Sequence, residues 1–214
     1  MAVPLDDSTR ASLDSLSKLT GGGVIVDIET GDGRFVYQSA RANPTKFYIG
    51  IDANAKPLEK VSIRATRKPT KGGAANVLFI QAAVEDLPTE LNNVADEIHI
   101  HFPWGSLLRA VATGELNVLR GLRRIMVDGG LLEVVIGVDP ERDHSEFERL
   151  KIPQMSLDYI GSVLIPKYAA SGLEIKEKGK LAASEWPHLK SSWARRLSGN
   201  DRRQVVYFIA EAQE

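Results

Sequence analysis

Gly21-Gly22-Gly23-Val24-Ile25-Val26-Asp27-Ile28-Glu29-Thr30-Gly31-Asp32-Gly33 is the stretch from which the fold can be read. Five residues, Val24 to Ile28, are apolar and mostly β-branched apart from one acid. They show no polar alternation, the pattern of a short strand buried on both faces. Gly31 and Gly33 then turn the chain sharply, and residues 34–41 can continue as a helix. The same unit recurs downstream. Residues 47–52 form a second strand ending in Asp52, residues 76–80 a third, residues 97–102 a fourth and residues 131–138 a fifth. A helix carrying Leu107, Leu108, Val111, Leu119 and Leu122 precedes the fifth, and Gly129-Gly130 introduces it. Residues 172–175 and 204–209 resemble a closing pair of strands. Strands alternating with helices predict a mostly parallel sheet covered on both faces, with a C-terminal antiparallel strand: a Rossmann-like α/β fold.

The chain has 214 residues, 43% hydrophobic and 26% charged, which suits one soluble domain over 1–214 with its core at about 20–210. No apolar run approaches the roughly 18 residues of a membrane span, and residues 1–10 lack the pattern of a signal peptide. With no cysteine, disulfides, thiolate catalysis and cysteine-based metal sites are excluded. The expected location is therefore the cytoplasm. A formal net charge of −1 does not mark a nucleic-acid binder, but the basic residues are unevenly placed. Lys60, Arg64, Arg67, Lys68 and Lys71 stand with no acid among them; Lys190, Arg195, Arg196, Arg202 and Arg203 are opposed only by Asp201. Two such fields can meet a polyanion on one face, or be no more than solvated surfaces.

In a doubly wound sheet, ligands sit beyond the carboxyl ends of the strands. A glycine turn after the first strand and an acid some 20 residues later fit a nucleoside cofactor: Asp52 can accept hydrogen bonds from ribose hydroxyls. The absence of a full G-x-G-x-x-G fingerprint weighs against NAD. After the third strand, Glu85 and Asp86 reach the same edge, either to recognise an adenine amino group or to cap the next helix. Asp27, Asp52 and Glu85 together describe a pocket for S-adenosylmethionine.

The fourth strand runs into His101-Phe102-Pro103-Trp104-Gly105-Ser106, and Trp193 lies inside the second basic cluster. Aromatic rings can hold a base extracted from its helix while nearby cations meet phosphates; the alternative is that both tryptophans pack in the core. Trp186 is assigned to packing. His99 and His101 alternate on one strand with no third ligand in sight, so they are strand residues and no metal is expected.

Residues 27–34, 47–52, 69–73, 82–88, 102–105 and 193–197 resemble, in order, the motifs of the aminoglycoside-resistance methyltransferases of the Kam and Npm type, which modify N1 of adenine 1408 in 16S rRNA. Phe-Pro-Trp-Gly and Trp-Ala-Arg-Arg-Leu are the specific part. The resemblance implies a class I S-adenosylmethionine-dependent methyltransferase. Asp27, Asp52, Ala53, Glu85 and Asp86 would meet the cofactor, with Gly31, Gly33 and position 29 in the turn and Pro103 and Ser106 lining the pocket. Trp104 and Trp193 would sandwich the flipped adenine, with Ser191 supporting Trp193. Arg64, Arg67, Lys68, Lys71, Arg149, Arg195, Arg196 and Arg203 would dock the enzyme on the 30S subunit, although Ile63 interrupts a stretch that is usually lysine-rich.

Two departures stand out. Glu29 replaces a glycine usual in relatives and brings negative charge near the expected place of the cofactor's methionine carboxylate, so cofactor binding should weaken unless the side chain turns away or meets a cation. The segment before the first strand leaves little room for the hairpin of some relatives. Two other readings stay open: a tRNA guanine-N7 methyltransferase, and a ribosome-binding module with an impaired cofactor site. No heptad or interface pattern is present, and a monomer is expected.

Overall fold

The first five strands pair in parallel, joined by helical crossovers except between the third and fourth, where two short 3-10 turns make the connection. The computed structural model describes residues 21–139, 141–181 and 204–214. In chain order these form β1 (Val24–Ile28), α1 (Arg34–Ala42), β2 (Phe47–Asp52), α2 (Ala55–Ala65), β3 (Val77–Gln81) and β4 (Ala95–His101). There follow α3 (Gly105–Thr113), α4 (Leu116–Ile125), β5 (Met126–Val138), α5 (His144–Leu150), α6 (Leu157–Tyr159), a π-helical turn (Ile160–Leu164) and α7 (Ile165–Ala169). The last strands are β6 (Leu173–Leu181) and β7 (Gln204–Ala212).

One sheet takes the order β3-β2-β1-β4-β5-β7-β6. β7 inserts antiparallel between β5 and β6, pairing Val134 with Phe208 and Leu173 with Ala212. The expected mostly parallel sheet with an antiparallel C-terminal strand is what forms. β1 and β4 are neighbours although β2 and β3 lie between them in sequence, so the chain reverses its direction of travel there. That reversal opens a crevice at the carboxyl edge.

Strand alternation sends Val26, Ile49, Ile98, Ile100, Leu132 and Val134 to one face, where Leu107, Leu108, Leu119, Leu122 and Leu164 cover them. Tyr168 is fully buried there because its hydroxyl donates to Val111 O at 3.0 Å and its ring meets Phe208 edge-on. Ile25 and Tyr48 face the opposite side, against Val36, Tyr37 and Ala40 of α1.

Several boundaries differ from the sequence expectation, β4 starting at Ala95, β6 running on to Leu181 and β7 to Ala212, and two further differences have a visible cause. The helical stretch before the fifth strand is two helices, because Gly114 adopts a left-handed conformation (φ 68°) and closes α3 by donating to Ala110 O. β5 begins at Met126 and passes through Gly129-Gly130; a shift in pairing between Ala95 and Glu97 absorbs the extra residues. A Cβ at Gly130 would lie 2.9 Å from Val127 O, so the bulge requires glycine. Among the described residues no helix is long and apolar enough to cross a membrane.

Candidate active site

The turn after β1 is tied to β2 by two backbone donors. Thr30 N–H donates to Ile51 O at 3.0 Å and Gly31 N–H to Asp52 Oδ2 at 2.8 Å. The other oxygen of Asp52 accepts Asn54 N–H at 2.8 Å, and the Asn54 side chain in turn caps α2 at Lys56. Asp52 therefore shapes the turn while its remaining lone pairs stay at the strand end, where Ala53 is exposed. The two glycines have different work. Gly31 (φ 62°) faces open space, with nothing within 4 Å of where a Cβ would lie. Gly33 (φ 65°) packs so closely that a Cβ would lie 2.6 Å from the Phe79 ring and 2.8 Å from Val61. Gly31 leaves room for a ligand; Gly33 lets α1 start against β3.

Asp27 is only 5% exposed and points to the α1 side of the sheet, where burial pushes its carboxyl up from the usual range. His101, the Thr30 hydroxyl and His99 pull it back in part. The two histidines stack with ring centroids 5.0 Å apart, and Phe35 packs on both. Their partners are carboxylates. His101 Nε2 lies 2.6 Å from Glu133 Oε1, and His99 Nε2 lies 3.5 Å from Glu97 Oε2. Burial alone would depress His99, but Glu97, Asp27 and Glu133 outweigh it and raise its pKa. His99 in turn holds Glu97 down at about 2, against the effect of burial, with help from Lys46 at 2.9 Å. Among the described residues no group of three or more His, Asp or Glu side chains could hold a metal. The histidines serve as buried partners for acids. The acids were missed in sequence, although Glu97 stands two residues before His99 on the same strand face.

At the end of β4 the chain turns through Phe102 (φ 54°) and Gly105 (φ 57°), both left-handed. Phe102 N–H donates to Val135 O at 2.8 Å, which fixes the turn to β5. Pro103 is buried, Trp104 is 47% exposed and Ser106 is exposed at the start of α3. The turns after β1 and β4 touch: Glu29 Oε2 accepts Trp104 N–H at 3.3 Å. Glu29 is itself left-handed (φ 55°), and its carboxyl is pushed up to about 7, by burial first and by Asp52 and Glu85 besides. The Trp104 N–H acts the other way. The side chain thus meets a backbone donor, and no cation is among the groups that act on it.

Glu85 and Asp86 are exposed in the 3-10 turn Val84–Asp86 beyond β3. Glu85 is near enough to act on Glu29. The carboxyl edge thus gathers Glu29, Gly31, Asp52, Glu85, Pro103, Trp104 and Ser106. This set fits S-adenosylmethionine: Gly31 and Gly105 both border open space, and the acids can meet ribose hydroxyls, an ammonium and an adenine amine.

Of the docking candidates, Arg64, Arg67, Lys68 and Lys71 are exposed around the end of α2 and the 3-10 turn Pro69–Lys71. Arg64 covers the Tyr37 ring at 5.2 Å, Tyr37 OH donates to Gly72 O, and Ile63 is 63% exposed among them. A Cβ at Gly73 would collide with Arg67 O, so this basic loop folds back on itself only with glycine there. Arg149 is exposed on α5 and forms a two-pronged ion pair with Glu146, at 2.8 and 2.6 Å. Trp186, Ser191, Trp193, Arg195, Arg196 and Arg203 lie outside the described residues.

The profile of a family described as NpmA: 16S rRNA (adenine(1408)-N(1))-methyltransferase matches residues 6–212. The chain belongs to this family. A 16S rRNA (adenine(1408)-N(1))-methyltransferase of Streptoalloteichus tenebrarius is 36% identical over 184 residues, which is 86% of this chain and 84% of that protein. The aminoglycoside resistance methyltransferase NpmB1 has a crystal structure that superposes with a TM-score of 0.82 at 43% identity, covering 95% of this chain and 93% of that one. A tryptophan-to-alanine variant of the enzyme from Catenulisporales acidiphilia, crystallised with S-adenosylmethionine as cosubstrate, superposes at 0.88 with 32% identity, covering 99% and 93%. The fold is thus that of a class I S-adenosylmethionine-dependent methyltransferase.

Proposed function

We propose that this chain transfers the methyl group of S-adenosylmethionine to N1 of adenine 1408 of 16S rRNA in the 30S subunit, and that the product protects the ribosome from aminoglycosides. It would work as a monomeric, single-domain cytoplasmic enzyme. The observation that carries the reading is the position of Trp104: half-exposed, at the end of β4, hydrogen-bonded to a residue of the acid-lined edge.

The cofactor supplies an electrophilic methyl on a sulfonium. Adenine N1 has a lone pair in the ring plane, so no base is required before attack. As the N1–carbon bond forms, the sulfur–carbon bond breaks, a neutral thioether leaves and the adenine ring takes the positive charge. Its exocyclic amine can then lose a proton to water. The protein's share is to hold donor and acceptor in line. Asp52 and Glu85 would orient the nucleoside end, with Asp27 behind the turn. Trp104, and Trp193 from the opposite side with Ser191 behind it, would grip the flipped base, and their faces favour the cationic product over the neutral substrate. The exposed cations Arg64, Arg67, Lys68 and Lys71, with Arg149, Arg195, Arg196 and Arg203, would meet rRNA phosphates.

Transfer of labelled methyl groups to purified 30S subunits and to bulk tRNA tests the reading. Label in 30S, abolished in Trp104→Ala while cofactor still binds, is expected. Label in tRNA alone would favour the guanine-N7 reading, and no label with no cofactor binding would favour a binding module.

A further inference from the structure

Glu29 sits in a backbone region that suits glycine, and a side chain there is strained unless its surroundings hold it. What holds it is visible in the turn after β4. Trp104 is extended (φ −132°, ψ 166°) between two left-handed residues, Phe102 and Gly105, and precedes a helix that no side chain caps. Val135 O pins one end of that turn through the Phe102 N–H. The Glu29 carboxylate takes the Trp104 N–H across 75 residues of sequence. A glycine at position 29 would relax the first turn and leave the second without this tie.

The geometry points to Glu29 as a positioning residue for Trp104: its carboxylate joins the turn that cradles the cofactor to the turn that carries the stacking indole. The inference rests on the proposed role of Trp104 in gripping the target adenine. The groups facing the carboxylate are Asp52 from the end of β2, Glu85 from the turn after β3 and the Trp104 N–H from the turn after β4. With burial and two acids opposing ionisation, Glu29 changes charge near neutral pH. A carboxylate is a stronger acceptor than a carboxyl, so the hold on Trp104 tightens as pH rises through about 7.

The test is the backbone amide of Trp104 followed by NMR in the full-length protein between pH 5.5 and 8.5. In the wild type its proton resonance should move downfield with a midpoint near 7. In Glu29→Gln, which keeps the shape and an acceptor but cannot ionise, it should stay at its low-pH position. Steady-state methylation of 30S subunits is the second readout. Glu29→Gln should lower kcat at pH 8 by roughly three- to tenfold without raising the cofactor KM, and flatten the pH profile. A Trp104 amide that does not titrate, or titrates equally in Glu29→Gln, overturns the inference. The amide decides this whether or not 30S subunits prove to be the substrate. Absence of wild-type methylation at adenine 1408 would instead overturn the proposed function.

Discussion

Asp52 Oδ2 accepts the Gly31 N–H at 2.8 Å, so the acid at the end of β2 builds the turn after β1 as well as standing beside it. Replacing it therefore has two effects. Asp52→Ala should loosen the Gly31 turn and remove the proposed ribose acceptor, weakening cofactor binding in calorimetry by roughly 10–100-fold. Asp52→Asn keeps one acceptor oxygen and should lose less. Equal affinity in Asp52→Ala and wild type would remove Asp52 from the cofactor site.

Asp27 should set stability against function. Its raised pKa means that the folded protein resists ionising it. The unfolded chain ionises near 3.8; above that pH the folded state is penalised, and the penalty persists at neutral pH. Asp27→Asn should raise the melting temperature at pH 7 by roughly 2–4 °C, corresponding to about 1 kcal/mol, and the gain should vanish below pH 3.8, where both states are protonated. The same variant should bind S-adenosylmethionine more weakly. Thermal melts at several pH values with calorimetry check both halves.

Glu29→Gly separates charge from position. Removing a carboxyl that shares its edge with Asp52 and Glu85 should let the cofactor's own carboxylate approach, and binding in calorimetry should tighten. Methylation of 30S subunits should nevertheless fall, because Trp104 loses its tie. Unchanged or weaker cofactor affinity would show that Glu29 helps hold the cofactor.

The basic loop should act through charge alone. Single substitutions Arg67→Ala, Lys68→Ala and Lys71→Ala should each weaken 30S binding and lower the slope of log affinity against log salt by about 0.7–0.9 for every phosphate no longer neutralised. Cofactor affinity should be unchanged. A salt slope equal to wild type in all three would place the rRNA elsewhere.

The sheet was legible because β1, β2 and β3 are short, mostly apolar runs, and Asp27, Asp52 and Glu85 mark the carboxyl edge. Breaks inside elements were not. Gly114 splitting α3 from α4, and the bulge at Gly129-Gly130, depend on where neighbouring backbone lies. Glu29 was visible as an intruder in a glycine turn, but its partner was not: the Trp104 N–H is 75 residues away and carries no sequence signal. Likewise the His101–Glu133 contact needs the β4–β5 register, which brings the two residues to one face. The clustering of Gly31 and Gly33 hid a difference in role that only Phe79 and Val61 reveal.

The most direct measurement is primer extension on 16S rRNA from 30S subunits incubated with the protein and S-adenosylmethionine. A methyl on N1 blocks Watson–Crick pairing, so reverse transcriptase should stop next to adenine 1408 with wild type and read through with Trp104→Ala. Read-through at adenine 1408 with wild-type protein, under conditions where the cofactor binds, would contradict methyl transfer to that base.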